Sequence, residues 1–153
     1  MNLILWRHAE AEDSNPDLER KLTKRGLRQA AYGADWLRRH LPERYALISS
    51  PAVRARSTAE ALGVPVELDP RILPGADADG YLAACGWPDG VSAQRETVIL
   101  VGHQPAIGRT ASLLLSGSDR DRSFAKGAVW WLVWTGKPGV KAGELRHVVD
   151  PPG

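Results

Sequence analysis

Cysteine is almost missing from this chain: Cys85 is the single one. One thiol excludes an intramolecular disulfide and points to a reducing compartment. Long hydrophobic runs are missing too, since no stretch approaches the roughly 18 apolar residues that span a membrane. The start has a short apolar run, Leu3 to Trp6, and no charged leader ahead of it, so it does not read as a signal peptide. These features predict a cytoplasmic protein without a membrane partner. An excess of one charge is also lacking. The formal net charge is +2, with acids and bases interspersed, which gives no electrostatic reason to bind nucleic acid. There is no repeat, no low-complexity tail and no internal linker long enough to separate domains. The 153 residues therefore predict a single domain over 1–153 with a sizeable core.

What the chain does have is a repeated arrangement of apolar runs that end in chemistry-bearing residues. Leu3-Ile4-Leu5-Trp6 reads as a buried strand and runs into Arg7-His8. Thr97 to Val101 is β-branched and apolar, and ends in Gly102-His103-Gln104-Pro105. Gly102 permits a close backbone approach. Pro105 suits the first turn of a helix, Ala106 to Leu115, whose free N–H groups would favour an anion beside His103. A third strand, Tyr45 to Ile48, ends in Ser49-Ser50-Pro51 and opens a helix that carries Arg54 and Arg56. Parallel strands bring their exits to one edge, where ligands of α/β sheets bind. Two histidines and several arginines are thus expected together.

Two other Arg-His pairs carry no such expectation. Arg39-His40 closes a helical stretch, where cations favour the negative end of the dipole. Arg146-His147 lies in a strand-like segment, Glu144 to Val149, and reads as solvated edge. A metal centre on His8 and His103 would need a third ligand, for which Glu10 or Glu12 is only a guess.

The coarse pattern predicts an α/β fold: one compact domain, a mostly parallel central sheet flanked by helices, and no large cap insertion. Its elements are strand Asn2 to Trp6, helix Lys24 to Leu41 capped by Thr23, strand Tyr45 to Ile48, and helix Ala52 to Leu62. A short strand Val66 to Leu68, a helical piece Asp79 to Cys85, strand Thr97 to Val101 and helix Ala106 to Leu115 follow. Two last strands, Ala128 to Thr135 and Glu144 to Val149, join around Pro138-Gly139. In the first helix Leu27, Ala30, Ala31, Ala34 and Leu37 recur at helical spacing and predict the core face. Trp130, Trp131 and Trp134 read as sheet packing on alternate faces rather than as a base-stacking platform.

Four pieces, in order, resemble the histidine phosphatase (phosphoglycerate mutase-like) superfamily. They are Leu5-Trp6-Arg7-His8-Ala9-Glu10, Leu22-Thr23-x-x-Gly26, Ser50-Pro51-x-x-Arg54-Ala55-x-x-Thr58 and Val101-Gly102-His103-Gln104-Pro105. The resemblance implies that His8 is the nucleophile, phosphorylated during turnover. It also implies a phosphate pocket made of Arg7, Arg54 and His103. The compact, capless length is most similar to the SixA-type phosphohistidine phosphatases, where an arginine ahead of the Leu-Thr-x-x-Gly stretch reaches the phosphate; here that is Arg20. Ala9 stands where mutase-type relatives have glycine.

Mutase-type relatives also take a glutamate acid from an inserted segment. The corresponding stretch here, Asp69 to Gly80, offers only Asp77 and Asp79 as candidates. Expelling an alkoxide needs a proton donor, whereas protonated phosphohistidine loses a neutral imidazole. A cationic pocket without a dedicated acid therefore favours a P–N substrate, with arginines holding the equatorial oxygens and water attacking the phosphohistidine intermediate. The expectation is a phosphatase acting on phosphohistidine of a partner protein, needing neither metal nor cofactor. The alternatives are a phosphatase or mutase for small phosphate esters, or a non-catalytic phosphate-binding module. A mutase should carry an acid and a cap. A binding module would be expected to lose His8, yet both histidines are present.

Overall fold

The computed structural model describes residues 1–137 and 142–153. The junction expected at Pro138-Gly139 lies outside the described residues. The strands are β1 (Asn2–Arg7), β2 (Ala46–Ser49), β3 (Glu67–Leu68), β4 (Thr97–Gly102), β5 (Val129–Trp134) and β6 (Gly143–Val149). The helices are α1 (Lys24–His40), α2 (Val53–Glu60), α3 (Ala78–Cys85) and α4 (Ala106–Ser116), with short 3-10 turns at Asp17–Glu19 and Pro70–Ile72. They form one six-stranded sheet in the order β3-β2-β4-β1-β5-β6. The first four strands of that order pair in parallel, whereas β5 and β6 are antiparallel. The sheet is therefore mixed: the last hairpin completes it on the β1 side.

β4 is buried along its length and β1 over Leu3 to Trp6, because helices cover both sheet faces. Alternate residues feed two cores. Leu3, Leu5, Val98 and Leu100 face α3 and α4, meeting Tyr81, Ile107 and Ala111. Ile4, Trp6, Ile99 and Val101 face α1 and α2, meeting Ala34, Leu37, Ala55 and Ala59. Trp131 joins the second core. Trp130 packs against the first and stacks on Phe124, with ring centroids 4.3 Å apart. The alternate-face reading thus holds for Trp130 and Trp131, whereas Trp134 joins neither core and donates from Nε1 to the Lys137 carbonyl at 3.1 Å.

Helix α1 starts as expected, with the Thr23 hydroxyl accepting from Gly26 N–H at 3.0 Å. Its buried face differs from the expected one. Leu27 is 58% exposed and Ala31 is exposed, while Gly26, Gln29, Ala30, Gly33, Ala34 and Leu37 are buried. The helix approaches too closely for a leucine at that seam. A Cβ at Gly26 would run into the Glu10 carbonyl, and one at Gly33 would lie 3.1 Å from the Trp6 indole nitrogen. Glycines therefore set this contact, which apolar periodicity does not register.

Candidate active site

β4 lies between β1 and β2, so the exits carrying His8, His103 and Ser50 sit side by side. The backbone there is fixed from several directions. His8 N–H donates to the Gly102 carbonyl (3.0 Å), Ser50 N–H to the Val101 carbonyl (3.0 Å), and Gly127 N–H to the His8 carbonyl (3.2 Å). Ala9 N–H donates to the Thr58 hydroxyl (3.0 Å), which itself donates to the Arg54 carbonyl (2.7 Å). The turn of α2 that carries Arg54 is thereby joined to the loop that carries His8.

The two rings are neighbours, with centroids 5.1 Å apart. His8 Nδ1 lies 2.8 Å from the Ala9 carbonyl. A carbonyl only accepts, so Nδ1 carries the proton and Nε2 keeps its lone pair. Burial pushes His8 down to about 4; the Ala9 bond opposes this, and the charges of Arg54, Arg7 and Arg20 add to it. Burial likewise takes His103 down to about 3, helped by His8, Arg54 and Arg7 and opposed by Asp17. Both rings are neutral at ordinary pH.

Three further contacts orient the site. The Ser50 hydroxyl lies 2.8 Å from His103 Nε2 and accepts from Ala52 N–H at 3.3 Å. With that hydroxyl as donor, the ring proton of His103 resides on Nδ1. The buried Tyr81 hydroxyl accepts from His103 N–H at 2.9 Å. It fits because Gly102 has no side chain: a Cβ there would collide with the phenol oxygen. Arg7 Nη1 donates to the Phe124 carbonyl at 2.7 Å.

Arg54 is only 5% exposed. Its Nη1 donates to the Asp17 carbonyl (2.8 Å) and its Nη2 to Asp17 Oδ2 (3.2 Å). Arg20 is one step further out. It donates from Nε to the Glu12 carbonyl (2.7 Å) and pairs with Asp17 Oδ1 (3.4 Å), while its charge reaches His8. Among the described residues, four buried side-chain nitrogens have no partner: Trp6 Nε1, Arg7 Nε, Arg54 Nε and His103 Nδ1. Three of the four belong to the clustered residues. Buried donors without acceptors are costly, and an oxyanion supplies the missing acceptors.

Other expectations fare differently. Asp77 caps α3, its Oδ1 accepting from Gly80 N–H at 3.0 Å, and Asp79 is exposed in the same turn. Both line a groove with Leu113, Ser118 and Asp119, apart from the histidines. Neither joins the site, because the helix start needs the first and points the second outward. The N-terminus of α4 offers fewer free N–H groups than expected. Ile107 N–H is taken by the His103 carbonyl and Gly108 N–H by the Gln104 side chain. Glu10 is bonded to the Thr23 hydroxyl (2.9 Å) and Arg25 (3.5 Å), and Glu12 is exposed. Among the described residues no group of three or more metal-ligating side chains occurs, and no helix is long and apolar enough to cross a membrane.

Asp17, Ser50 and Tyr81 are contacts that pattern reading had not assigned. Asp17 had one available signal, its i,i+3 spacing to Arg20. Ser50 sat inside a recognised motif with no role, and Tyr81 reaches the site from a helix that reads only as packing.

Two histidines, the half-buried Arg7 and the buried Arg54 gather at the parallel-strand exits of an α/β sheet, a set of donors that suits an oxyanion. The family comparison agrees. The model of the histidine phosphatase superfamily (branch 1) matches residues 3–75, which include Arg7, His8, Arg20 and Arg54. The structure of a candidate phosphohistidine phosphatase SixA from Nakamurella multipartitia superposes with a TM-score of 0.85 at 33% identity, covering 99% of this chain and 96% of that one. The chain belongs to this superfamily. A phosphohistidine phosphatase SixA homolog of Haemophilus influenzae is 29% identical, over 99% of this chain and 97% of its own. The protein histidine phosphatase SixA complexed with tungstate shares the fold, with a TM-score of 0.79 at 24% identity, covering 99% of this chain and 97% of that one.

Proposed function

We propose that this protein is a phosphohistidine phosphatase that works through a covalent phosphoryl group on His8 and needs no metal. The observation that carries the reading is the His8 tautomer. The Ala9 carbonyl holds Nδ1–H, so the Nε2 lone pair is available, and burial keeps it unprotonated down to about pH 4. Arg7, Arg54 and His103 each keep one buried nitrogen without a protein acceptor. These donors, with Arg20 behind them, hold the equatorial oxygens as charge spreads onto them.

His8 Nε2 bonds to phosphorus while the bond to the leaving nitrogen breaks, and the electron pair returns to that nitrogen. The His8 ring becomes cationic and its Nδ1–H bond to Ala9 strengthens. The oxygen of a water then bonds to phosphorus as the P–Nε2 bond breaks, the pair returns to His8 to restore the neutral ring, and the water's proton leaves with the phosphate. The protein-phosphohistidine substrate is favoured by two features. Among the described residues neither Asp77 nor Asp79 joins the site as an acid, and the related SixA proteins carry that activity in their names.

His8→Ala should abolish turnover of a phosphohistidine peptide and leave phosphate affinity within about tenfold, or ~1.4 kcal/mol, because the arginines supply most of the anion binding. Wild-type protein mixed with a phosphodonor should carry an acid-labile, base-stable phosphoryl group on His8, read by mass spectrometry and unaffected by EDTA. An adduct on another residue, or full activity in His8→Ala, overturns the covalent mechanism.

A further inference from the structure

We propose that Asp17 selects the leaving group: its carboxylate, anchored to Arg54 at the mouth of the site, favours a protonated imidazole and disfavours an anionic alkoxide or phenolate. The proposal deepens the phosphohistidine reading and rests on it.

Asp17 lies on the short turn Asp17–Glu19, between β1 and α1. Its side chain is 57% exposed, whereas its partner Arg54 is 5% exposed. The pair thus runs from the interior of the site to its rim. A guanidinium has two edges that bind oxygen. Asp17 takes the end edge, through its carbonyl at Nη1 and Oδ2 at Nη2, and leaves Nε on the side edge without a partner. It therefore fixes the guanidinium plane while the side edge stays free for an oxyanion.

Asp17 is also ionised. Partial desolvation raises its carboxyl, but the charge of Arg54 and bonds from Arg54 and Arg20 prevail and hold it below the usual carboxylate range. Its field reaches the site, since it works against the lowering of His103. Among the described residues it is the one acid salt-bridged to a predicted phosphate-site arginine.

In-line transfer places the leaving group opposite His8 Nε2. His8 is only 9% exposed, and the proposal has the departing group leave toward the more exposed rim where Asp17 lies. Phosphohistidine protonated on its distal ring nitrogen is a cation there. As His8 Nε2 forms its bond to phosphorus, the substrate P–N bond breaks, its pair stays on nitrogen, and neutral imidazole departs with its distal proton. A nearby carboxylate favours the cationic form of that ring. An ester instead places the departing pair on oxygen as an anion, which the same carboxylate repels.

The test uses full-length wild type, Asp17→Asn and Asp17→Glu. Each is assayed with a synthetic peptide bearing one phosphohistidine and with p-nitrophenyl phosphate. The readout is the ratio of the two kcat/KM values. Asparagine keeps an oxygen for Arg54 but no charge, so the ratio should fall about tenfold, equivalent to one pKa unit on the substrate ring. Asp17→Glu should restore some of it. Equal losses on both substrates would reduce Asp17 to a structural support, and an unchanged or higher ratio would also overturn the proposal. Wild type that cleaves p-nitrophenyl phosphate but not the phosphohistidine peptide would overturn the underlying substrate reading, and this proposal with it.

Discussion

At the scale of single residues, the two histidines are uncharged in the fold because burial and neighbouring guanidinium groups oppose their protonation. Folded values of about 4 for His8 and about 3 for His103 stand against an ordinary 6.5. The unfolded chain therefore takes up protons first as pH falls. Stability is full above about 6.5, declines below it, and stops declining once the folded rings protonate near 4 and 3. The loss should be on the order of a few kcal/mol for the pair. Thermal unfolding from pH 7 to pH 4 should show it, and His8→Ala should flatten the slope. Ring proton resonances should titrate with midpoints near 4 and 3. Two rings that titrate near 6.5 would remove the electrostatic basis of the site.

At the scale of elements, α3 reaches the site through one hydroxyl. Tyr81 is fully buried, and its oxygen is the acceptor for His103 N–H. Burial pushes the phenol up to about 12, opposed by that bond, so it stays protonated. Tyr81→Phe keeps the ring and removes the acceptor. It should cost roughly 1–3 kcal/mol through an unsatisfied buried N–H. Because the strand end loses its tie to α3, kcat should fall more than phosphate affinity. Chemical denaturation together with steady-state kinetics checks both, and unchanged stability would show that water replaces the hydroxyl at no cost.

The same scale shows what the chain discloses in advance. β1 and β4 are legible because burial on both sheet faces demands unbroken apolar runs, and the chemistry begins where each run ends. The α1 cap is legible because Thr23 is the hydroxyl residue at the helix boundary. The buried face of α1 is not, because Gly26 and Gly33 make its closest contacts and glycine adds nothing to an apolar pattern. His8, Arg7, Arg54 and His103 could be grouped because parallel strands align their exits. Asp17 and Tyr81 could not, because their contacts cross from a loop and from a helix on another layer.

At the scale of the molecule, the site joins segments that are distant in sequence. Arg7 and His8 come from β1 and its exit, Arg54 from α2, His103 from the end of β4, Asp17 from a loop, and the Phe124 carbonyl from the segment before β5. An oxyanion that satisfies Arg7, Arg54 and His103 together binds the folded chain and not the unfolded one. Binding must therefore appear as stability. Vanadate or phosphate at 100 times its dissociation constant should add about 2.7 kcal/mol. For a chain of this size that raises the melting temperature by roughly 5–10 °C, at about 2–4 °C per kcal/mol. The rise should persist in EDTA, since the acceptors meet guanidinium and imidazole donors. Arg54→Ala should lose most of it, because that side chain is buried and its Nε has no other partner. His8→Ala should keep most of it, because His8 supplies a lone pair rather than a charge. A melting temperature that does not respond to either anion, or responds equally in Arg54→Ala, would show that these donors do not form one site.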